Sequence, residues 1–175
     1  MSGLRLPFRN VLPRVDASAF VANTAVVIGD VEIGGEASIW FGVVLRGDVF
    51  PIRIGARTNI QDNTVVHVTE GQFATAIGAD VLVGHGCIVH GCTLEDGCFV
   101  GMGSTVLDGA VVEAGAMVGA GSLVTPGKRV KSGELWTGRP AKMIRPLSDQ
   151  DRAAMKYGVE HYVELAKSYR GGRSG

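Results

Sequence analysis

Residues 94–130 read LEDGCFVGMGSTVLDGAVVEAGAMVGAGSLVTPGKRV, and an aliphatic residue recurs at every sixth position from Leu94 to Val130. Glycine often occupies the second or fourth position of these hexads, and the fifth position is small or medium, as at Ala110 and Ser122. Valine favours strands because it is branched at Cβ, whereas glycine permits the positive φ of a tight corner. Each hexad is therefore predicted to form one short strand and one turn, and three hexads to form one triangular coil.

The same period extends back through most of the chain. The earlier first positions are Val15, Val21, Val27, Ile33, Ile39, Leu45, Ile54, Ile60, Val66, Ile77, Val83 and Val89. Two predicted excursions, 46–53 and 67–76, interrupt this series. A single coil cannot bury its inward side chains, so the coils must stack to form a continuous core. A β-sandwich is the alternative, but its strands do not keep one period over more than about 100 residues.

The repeat resembles that of the hexapeptide left-handed β-helix. This resemblance supplies the handedness, because crossovers between parallel strands are right-handed as a general rule. We therefore expect an all-β fold, a single-stranded left-handed parallel β-helix of hexapeptide repeats, with a C-terminal α-helix.

The repeats fade after Val130, and we expect three parts along the chain. These are a left-handed β-helix domain over 1–146, a helix packed along it over 147–170, and a disordered tail over 171–175. Ser148 and Asp151 favour a helix start, through a side-chain cap and an acidic first turn. One face of that helix would carry the packing residues Met155, Val159, Tyr162, Val163, Ala166 and Tyr169.

Composition and charge exclude several classes of protein. The 17 Lys and Arg residues balance 17 Asp and Glu residues, which argues against a nucleic-acid or anionic-membrane surface. Apolar runs are too short to span a bilayer, and residues 1–10 do not read as a secretory signal. The odd number of cysteines, 3, suits a reducing compartment, so we expect a cytoplasmic protein.

Three of the 4 histidines fall at related positions of successive coils. His67 and His90 each follow the first residue of a strand on the same face, so they should stack about 4.8 Å apart and converge on a metal ion. His85 belongs to another face, one coil from Asp62. A neighbouring copy related by threefold symmetry could supply it, which predicts a shared three-histidine site with a fourth position open for water.

Several segments together resemble the γ-class carbonic anhydrases and their close bacterial relatives. They are Arg46-Gly47-Asp48, Asn59-Ile60-Gln61-Asp62, His67, and Gly84-His85-Gly-Cys-Ile-Val-His90-Gly-Cys. The resemblance extends from about Val11 to the C-terminal helix. It implies a homotrimer with zinc at the subunit interfaces, held by His67 and His90 of one subunit and His85 of the next; iron or cobalt would also suit these ligands.

The resemblance also implies an activity, the reversible hydration of carbon dioxide to bicarbonate by a zinc-bound hydroxide. Gln61 would position that hydroxide and Asn59 would orient the Gln61 amide. Arg46, Asp48 and Asp62 resemble the ion-pair network of the family's subunit interface.

The chain departs from the archaeal prototype in two places. Val49 stands where the prototype has a glutamate, and the loop after His67 is shortened to residues 68–75. Glu70 matches the position of the prototype's proton shuttle, and the alternative is a solvated surface charge. Two other functions stay open at this point: a catalytically weak or inactive scaffold subunit, and a hexapeptide acyltransferase that uses an acyl-CoA with a histidine as general base.

Overall fold

The computed structural model describes residues 3–171. It confirms a left-handed parallel β-helix of about 7 turns followed by one helix. The strands are β1 (Leu4–Leu6), β2 (Arg14–Val15), β3 (Phe20–Val21), β4 (Val26–Ile33), β5 (Ser38–Ile39), β6 (Val44–Ile54), β7 (Asn59–Ile60), β8 (Val65–His67), β9 (Thr75–Ile77), β10 (Leu82–Val83), β11 (Ile88–His90), β12 (Thr93–Leu94), β13 (Phe99–Val100), β14 (Thr105–Val106), β15 (Val111–Val112), β16 (Met117–Val118), β17 (Leu123–Val124), β18 (Arg129–Val130), β19 (Glu134–Gly138) and β20 (Ala141–Pro146). Helix α1 spans Asp149–Gly171. The expected disordered tail lies, apart from Gly171, outside the described residues.

The strands form three flat faces around the core. Face B is the 8-stranded sheet with the order β20-β19-β16-β13-β10-β7-β5-β3. The 12-stranded sheet covers both other faces, because the long strands β4 and β6 bend from one to the other. Face C runs through β4, β6, β8, β11, β14 and β17, and face A runs through β4, β6, β9, β12, β15 and β18. Strands paired in each face are parallel except for β19 and β20.

The interruption expected over 46–53 does break the period of six, but it does not break the strand. β6 runs without a break from Val44 to Ile54, and it pairs with β4 on both sides of a register shift between Gly29 and Val31. The extra residues lengthen the corner between faces C and A while the backbone stays extended. The second interruption does leave the coil, as a short hairpin closed by an antiparallel bridge between Thr69 and Phe73.

The first position of each hexad faces the interior. Ile39, Leu45, Ile60, Val83 and Val100 are fully buried there. Removing such a side chain from water stabilises the fold by roughly 1.5–3 kcal/mol each. Buried hydroxyls at the fifth position are satisfied within the coil stack: Thr58 Oγ1 donates to Gly78 O at 2.6 Å and accepts from Val81 N at 3.0 Å.

Corners in the C-terminal half use glycine at the fourth position of the hexad. The positive-φ glycines recur every six residues at Gly97, Gly103, Gly109, Gly115, Gly121, Gly127 and Gly133. Four corners of the N-terminal half instead hold Glu36, Arg57, Asn63 and Asp80 at positive φ. The strict glycine period is therefore the clearer signal of the fold in the second half of the chain.

Helix α1 lies on face B, against β3, β5, β7 and β10. Met155, Val159, Val163 and Ala166 are its buried residues. Its first turn is capped reciprocally: Asp151 N donates to Ser148 Oγ at 3.2 Å, and Ser148 N donates to an Asp151 carboxylate oxygen at 2.7 Å. No helix among residues 3–171 is long and apolar enough to cross a membrane.

Candidate metal centre

His67 and His90 lie side by side at the end of face C. β8 and β11 pair in parallel register with His90 opposite His67. Each imidazole follows a buried valine, Val66 or Val89, and therefore points outwards. The Nδ1 atom of His67 lies 3.1 Å from the Nε2 atom of His90. The stacking expected from the hexad period is present in the structure.

The other nitrogen of each of these rings contacts a carboxylate. His67 Nε2 lies 3.0 Å from Asp48 Oδ1, and His90 Nδ1 lies 2.6 Å from Asp108 Oδ1. An ionised carboxylate only accepts hydrogen bonds, so the ring N–H groups belong on these outer nitrogens. The two inner nitrogens are then left with lone pairs that face each other and repel, unless a proton or a cation lies between them.

The arrangement of these two rings fits a metal ion. Two nitrogens on one tetrahedral zinc stand about 3.3 Å apart, close to the observed separation of 3.1 Å. Metal-bound histidines commonly donate their second N–H to a carboxylate, which is the arrangement seen here.

The pKa of each of these two carboxylates lies below its ordinary value. Burial alone would raise the pKa of Asp48, but hydrogen bonds from Arg46 and His67 outweigh it and hold the pKa below its ordinary value. Burial would likewise raise the pKa of Asp108, and hydrogen bonds from His90 and Thr69 lower it overall. Arg46 reaches Asp48 at 2.6 Å, so the structure brings these two predicted residues together with His67.

Asp108 was not predicted from the sequence. It lies two residues after Val106, which occupies the next coil of face C beyond Val89. The glycine at position 91, directly after His90, is the sequence feature that could have indicated a side chain packed against this position. A Cβ atom on Gly91 would lie 2.3 Å from Asp108 Oδ1, so the carboxylate occupies the space of the missing side chain.

His85 lies at the corner between faces B and C. Its Nδ1 atom is 2.9 Å from Asp62 Oδ2, as their expected separation by one coil allows. Gln61 directly precedes Asp62, and its Nε2 atom donates to Asn59 Oδ1 at 3.0 Å. Both amide side chains are buried, and Asn59 Nδ2 has no hydrogen-bond partner within residues 3–171.

The predicted site residues therefore form two groups at opposite ends of face C. Arg46, Asp48, His67 and His90 occupy the end towards face A, and Asn59, Gln61, Asp62 and His85 occupy the end towards face B. Within residues 3–171, the chain contains no cluster of three or more potential metal ligands. One chain alone thus offers two histidines to a metal at one end and a third at the other.

The remaining candidate, Glu70, lies in the hairpin after His67, where it is exposed. That hairpin is tied to the histidine end of face C, since Thr69 Oγ1 donates to Asp108 Oδ2 at 2.7 Å. His161 is exposed on helix α1 and stacks on Tyr157, with ring centroids 5.8 Å apart.

The three cysteines are buried free thiols. Burial raises the pKa of Cys92 to about 12, and it raises the pKa of Cys98 as well. Because a metal ligand must be a thiolate, these neutral thiols serve the core.

A cavity of about 480 Å³ lies elsewhere, between helix α1 and the neighbouring coils. Arg57, Asp80, Arg152, Met155 and Lys156 are among its lining residues. Its lining combines apolar side chains with side chains of both charges, unlike the histidine pair at face C.

Comparison with known proteins places these features in a family. The chain is 43% identical over 164 residues to the carbonic anhydrase of Geobacillus kaustophilus, covering 94% of this chain and 90% of that protein. It is 51% identical over 160 residues to the mitochondrial γ-carbonic anhydrase 2 of Arabidopsis thaliana. The chain belongs to the γ-carbonic anhydrase family. The named carbonic anhydrases of this family are carbonate dehydratases, which are lyases.

The alignment with the plant γ-carbonic anhydrase covers 89% of this chain but only 58% of the plant protein. The family model for the bacterial transferase hexapeptide (six repeats) matches residues 91–126. Among solved structures, a hexapeptide transferase family protein from Anaplasma phagocytophilum superposes with a TM-score of 0.91 at 52% identity, covering 95% of this chain and 98% of that one. The coil architecture is therefore shared with proteins that carry transferase names.

Proposed function

We propose that the chain is a γ-class carbonic anhydrase that hydrates carbon dioxide reversibly to bicarbonate. The observation that carries this proposal is the pair of imidazole nitrogens 3.1 Å apart, each ring held from behind by a carboxylate. A structural histidine pair does not need two inward lone pairs, whereas a metal site does. The alignment with named carbonic anhydrases over nearly the whole chain supports the same activity.

The site is completed by a homotrimer. His85 lies at the far end of face C from His67 and His90, so in a closed ring the His85 end of one subunit meets the His67 end of the next. Threefold closure makes each such junction equivalent, with three histidines at each one. The outward residues Val65 and Ile88 on face C are apolar and exposed, which suits burial between subunits.

Zinc is the proposed metal, with iron and cobalt as substitutes that the same ligands accept. When bound, it supplies a coordinated water acidic enough to lose its proton near neutral pH. His67 and His90 of one subunit and His85 of the next would hold the ion.

The remaining polar residues act around the metal ligands. Gln61 commits its Nε2 group to Asn59, which leaves the Gln61 carbonyl oxygen free to accept a hydrogen bond from the attacking water. Asn59, fully buried, fixes the angle of that amide. Arg46 neutralises Asp48 behind His67, and Asp62 orients His85. Glu70, on the solvent side of the hairpin, would take the released proton outwards.

A second candidate is a subunit that keeps the metal mainly to hold the trimer. Val49 favours it, because this side chain packs against the core at the place where the archaeal prototype has an acid. Glu70 is then the one predicted carboxylate left for proton transfer. An acyltransferase is disfavoured because paired inward imidazoles serve no purpose in acyl transfer.

We also propose that the protein works in the cytoplasm. The three buried free thiols suit a reducing compartment.

Metal analysis combined with stopped-flow carbon dioxide hydration tests the proposed function. We expect about one zinc, iron or cobalt ion per chain in freshly purified protein, together with hydration activity. Protein that lacks all three metals would contradict the proposal. Metal with no hydration would support the scaffold subunit instead.

Replacing His85 tests whether the site is shared. His85→Ala should lose the metal although His67 and His90 are intact, because two protein ligands hold zinc far more weakly than three. His161→Ala is the matched control, since this histidine lies on the outer side of helix α1 and should leave metal content unchanged. Full metal content in His85→Ala would show that the shared geometry is wrong.

A further inference from the structure

Asp108 lies in the corner between β14 and β15, where it contacts both His90 and the hairpin that follows His67. Its Oδ1 atom accepts from His90 Nδ1 at 2.6 Å, and its Oδ2 atom accepts from Thr69 Oγ1 at 2.7 Å. Both carboxylate oxygens are thus used, one by a proposed metal ligand and one by the hairpin that carries Glu70. The rest of the side chain is held by the corner between β14 and β15.

The coil below is shaped to admit this carboxylate. Gly91 leaves open the space that Asp108 fills, and its backbone is fixed in turn, since Gly91 N donates to Thr75 Oγ1 at 2.9 Å. Phe73 closes the other side, because a Cβ on Gly91 would lie 2.8 Å from Phe73 Cβ. Asp108 therefore has little freedom to turn away from His90.

We propose that Asp108 is a positioning residue for the metal: it holds the His90 proton on Nδ1, aims Nε2 at the ion, and through Thr69 fixes the Glu70 hairpin beside it. The inference rests on the proposed function, since it assigns His90 as a ligand. A carboxylate suits this role because it accepts from both donors at once and cannot donate to the ring. Carboxylates behind metal-bound histidines fix the tautomer and increase the basicity of the ligand.

The chain offers a matched control for this carboxylate. Asp96 also stands just before a positive-φ glycine, and its carboxylate likewise fills the space above a glycine, Gly78, one coil away. Its Oδ1 atom accepts from the backbone N of Ala79 at 2.7 Å, in place of a histidine. Asp96→Ala therefore removes a corner carboxylate of the same kind without touching the proposed site.

Zinc affinity and the state of the His90 ring test the proposal on the full-length protein. We expect Asp108→Ala to raise the zinc dissociation constant, measured by chelator competition, about 10–100-fold. Asp96→Ala should leave it near the wild-type value. In ¹⁵N spectra of histidine-labelled, metal-free protein, His90 should be the Nδ1–H tautomer in the wild type and a mixture in Asp108→Ala. Asp108→Asn should keep the tautomer, because its carbonyl oxygen can still accept, and give an intermediate affinity.

The outcomes separate this inference from the proposed function. Unchanged zinc affinity and an unchanged His90 tautomer in Asp108→Ala would overturn the role of Asp108, even if the wild type hydrates carbon dioxide. Zinc binding that depends on Asp108 in a protein with no hydration activity would support Asp108 and contradict the enzyme. A wild type that binds none of zinc, iron and cobalt would overturn both. If circular dichroism shows that Asp108→Ala does not fold, the zinc affinity of Asp108→Asn decides whether Asp108 has this role.

Discussion

At the scale of single residues, two corner glycines with the same backbone conformation differ in what surrounds them. Gly103 has φ +68° and open space around the position of a Cβ atom, whereas Gly91 has φ +54° and the Asp108 carboxylate 2.3 Å from that position. The first glycine is needed only for its backbone, and the second also for its missing side chain. Replacing each of these two glycines with alanine therefore separates the cost of the backbone conformation from the cost of the steric clash.

Gly103→Ala should lower the free energy of unfolding by about 1–2 kcal/mol, the cost of the left-handed conformation. Gly91→Ala should cost more than Gly103→Ala, because the new Cβ must also displace Asp108, and it should weaken zinc binding as well. Urea unfolding at one fixed protein concentration measures both variants. Equal destabilisation of the two would show that Asp108 moves aside at little cost.

The residues of the site were predictable from the sequence to different degrees. His67 and His90 follow the first positions of hexads on one face, so counting by six places them side by side. Asp108 was missed because only its side chain reaches His90. Its backbone lies in the corner after β14, where the residue of the neighbouring coil opposite it is Gly91. Contacts made by folded-back side chains do not follow the period of the strands.

At the scale of elements, the hairpin between β8 and β9 carries Glu70, the proposed proton shuttle. Thr69 N and Phe73 N both donate to backbone oxygens across it, at 3.0 and 3.1 Å, so the turn holding Glu70 has a defined shape. Thr69 is anchored to Asp108, which keeps that turn next to the histidine end of face C. A carboxylate at this place can exchange protons between the site and solvent.

Glu70→Ala should slow carbon dioxide hydration mainly at low buffer concentration, where internal proton transfer limits turnover. High concentrations of an added buffer should restore the rate towards that of the wild type. Gln72→Ala, in the same exposed hairpin, is the matched control and should behave like the wild type at both concentrations. A Glu70→Ala rate that matches the wild type in dilute buffer would leave Glu70 as a surface charge.

The elements themselves were predicted unevenly, for a physical reason. Strands that occupy one hexad follow from the six-residue period, as do their buried first positions. Residues 46–53 break the period as expected, but the continuity of β6 through them was not predicted, because an extended backbone can continue round a corner without keeping the period. The antiparallel pair β19 and β20 has no hexad signal at all, since its register depends on the turn between them.

At the scale of the whole molecule, the stacked coils keep His85 apart from His67 and His90, the other two proposed metal ligands. The rigid stack separates His85 from the His67 and His90 pair by the width of face C, so one chain cannot close the ligand set. In the proposed trimer, assembly and metal binding are thermodynamically linked: each stabilises the other, and a loss of either lowers both. A change far from every ligand should therefore release the metal if it separates the subunits.

Ile88 provides this test, because it is 46% exposed on the outward side of face C and stacks on Val65 of the neighbouring strand. Ile88→Lys should convert the proposed trimer into monomers, since each interface would bury an unpaired lysine charge. The metal content should fall with it, although every ligand is retained and circular dichroism shows an intact coil. Ile144→Lys is the control, as Ile144 is 57% exposed on β20, at the end of the solenoid. Sedimentation velocity with metal analysis follows both quantities, and monomers that keep their metal would refute a site shared between subunits.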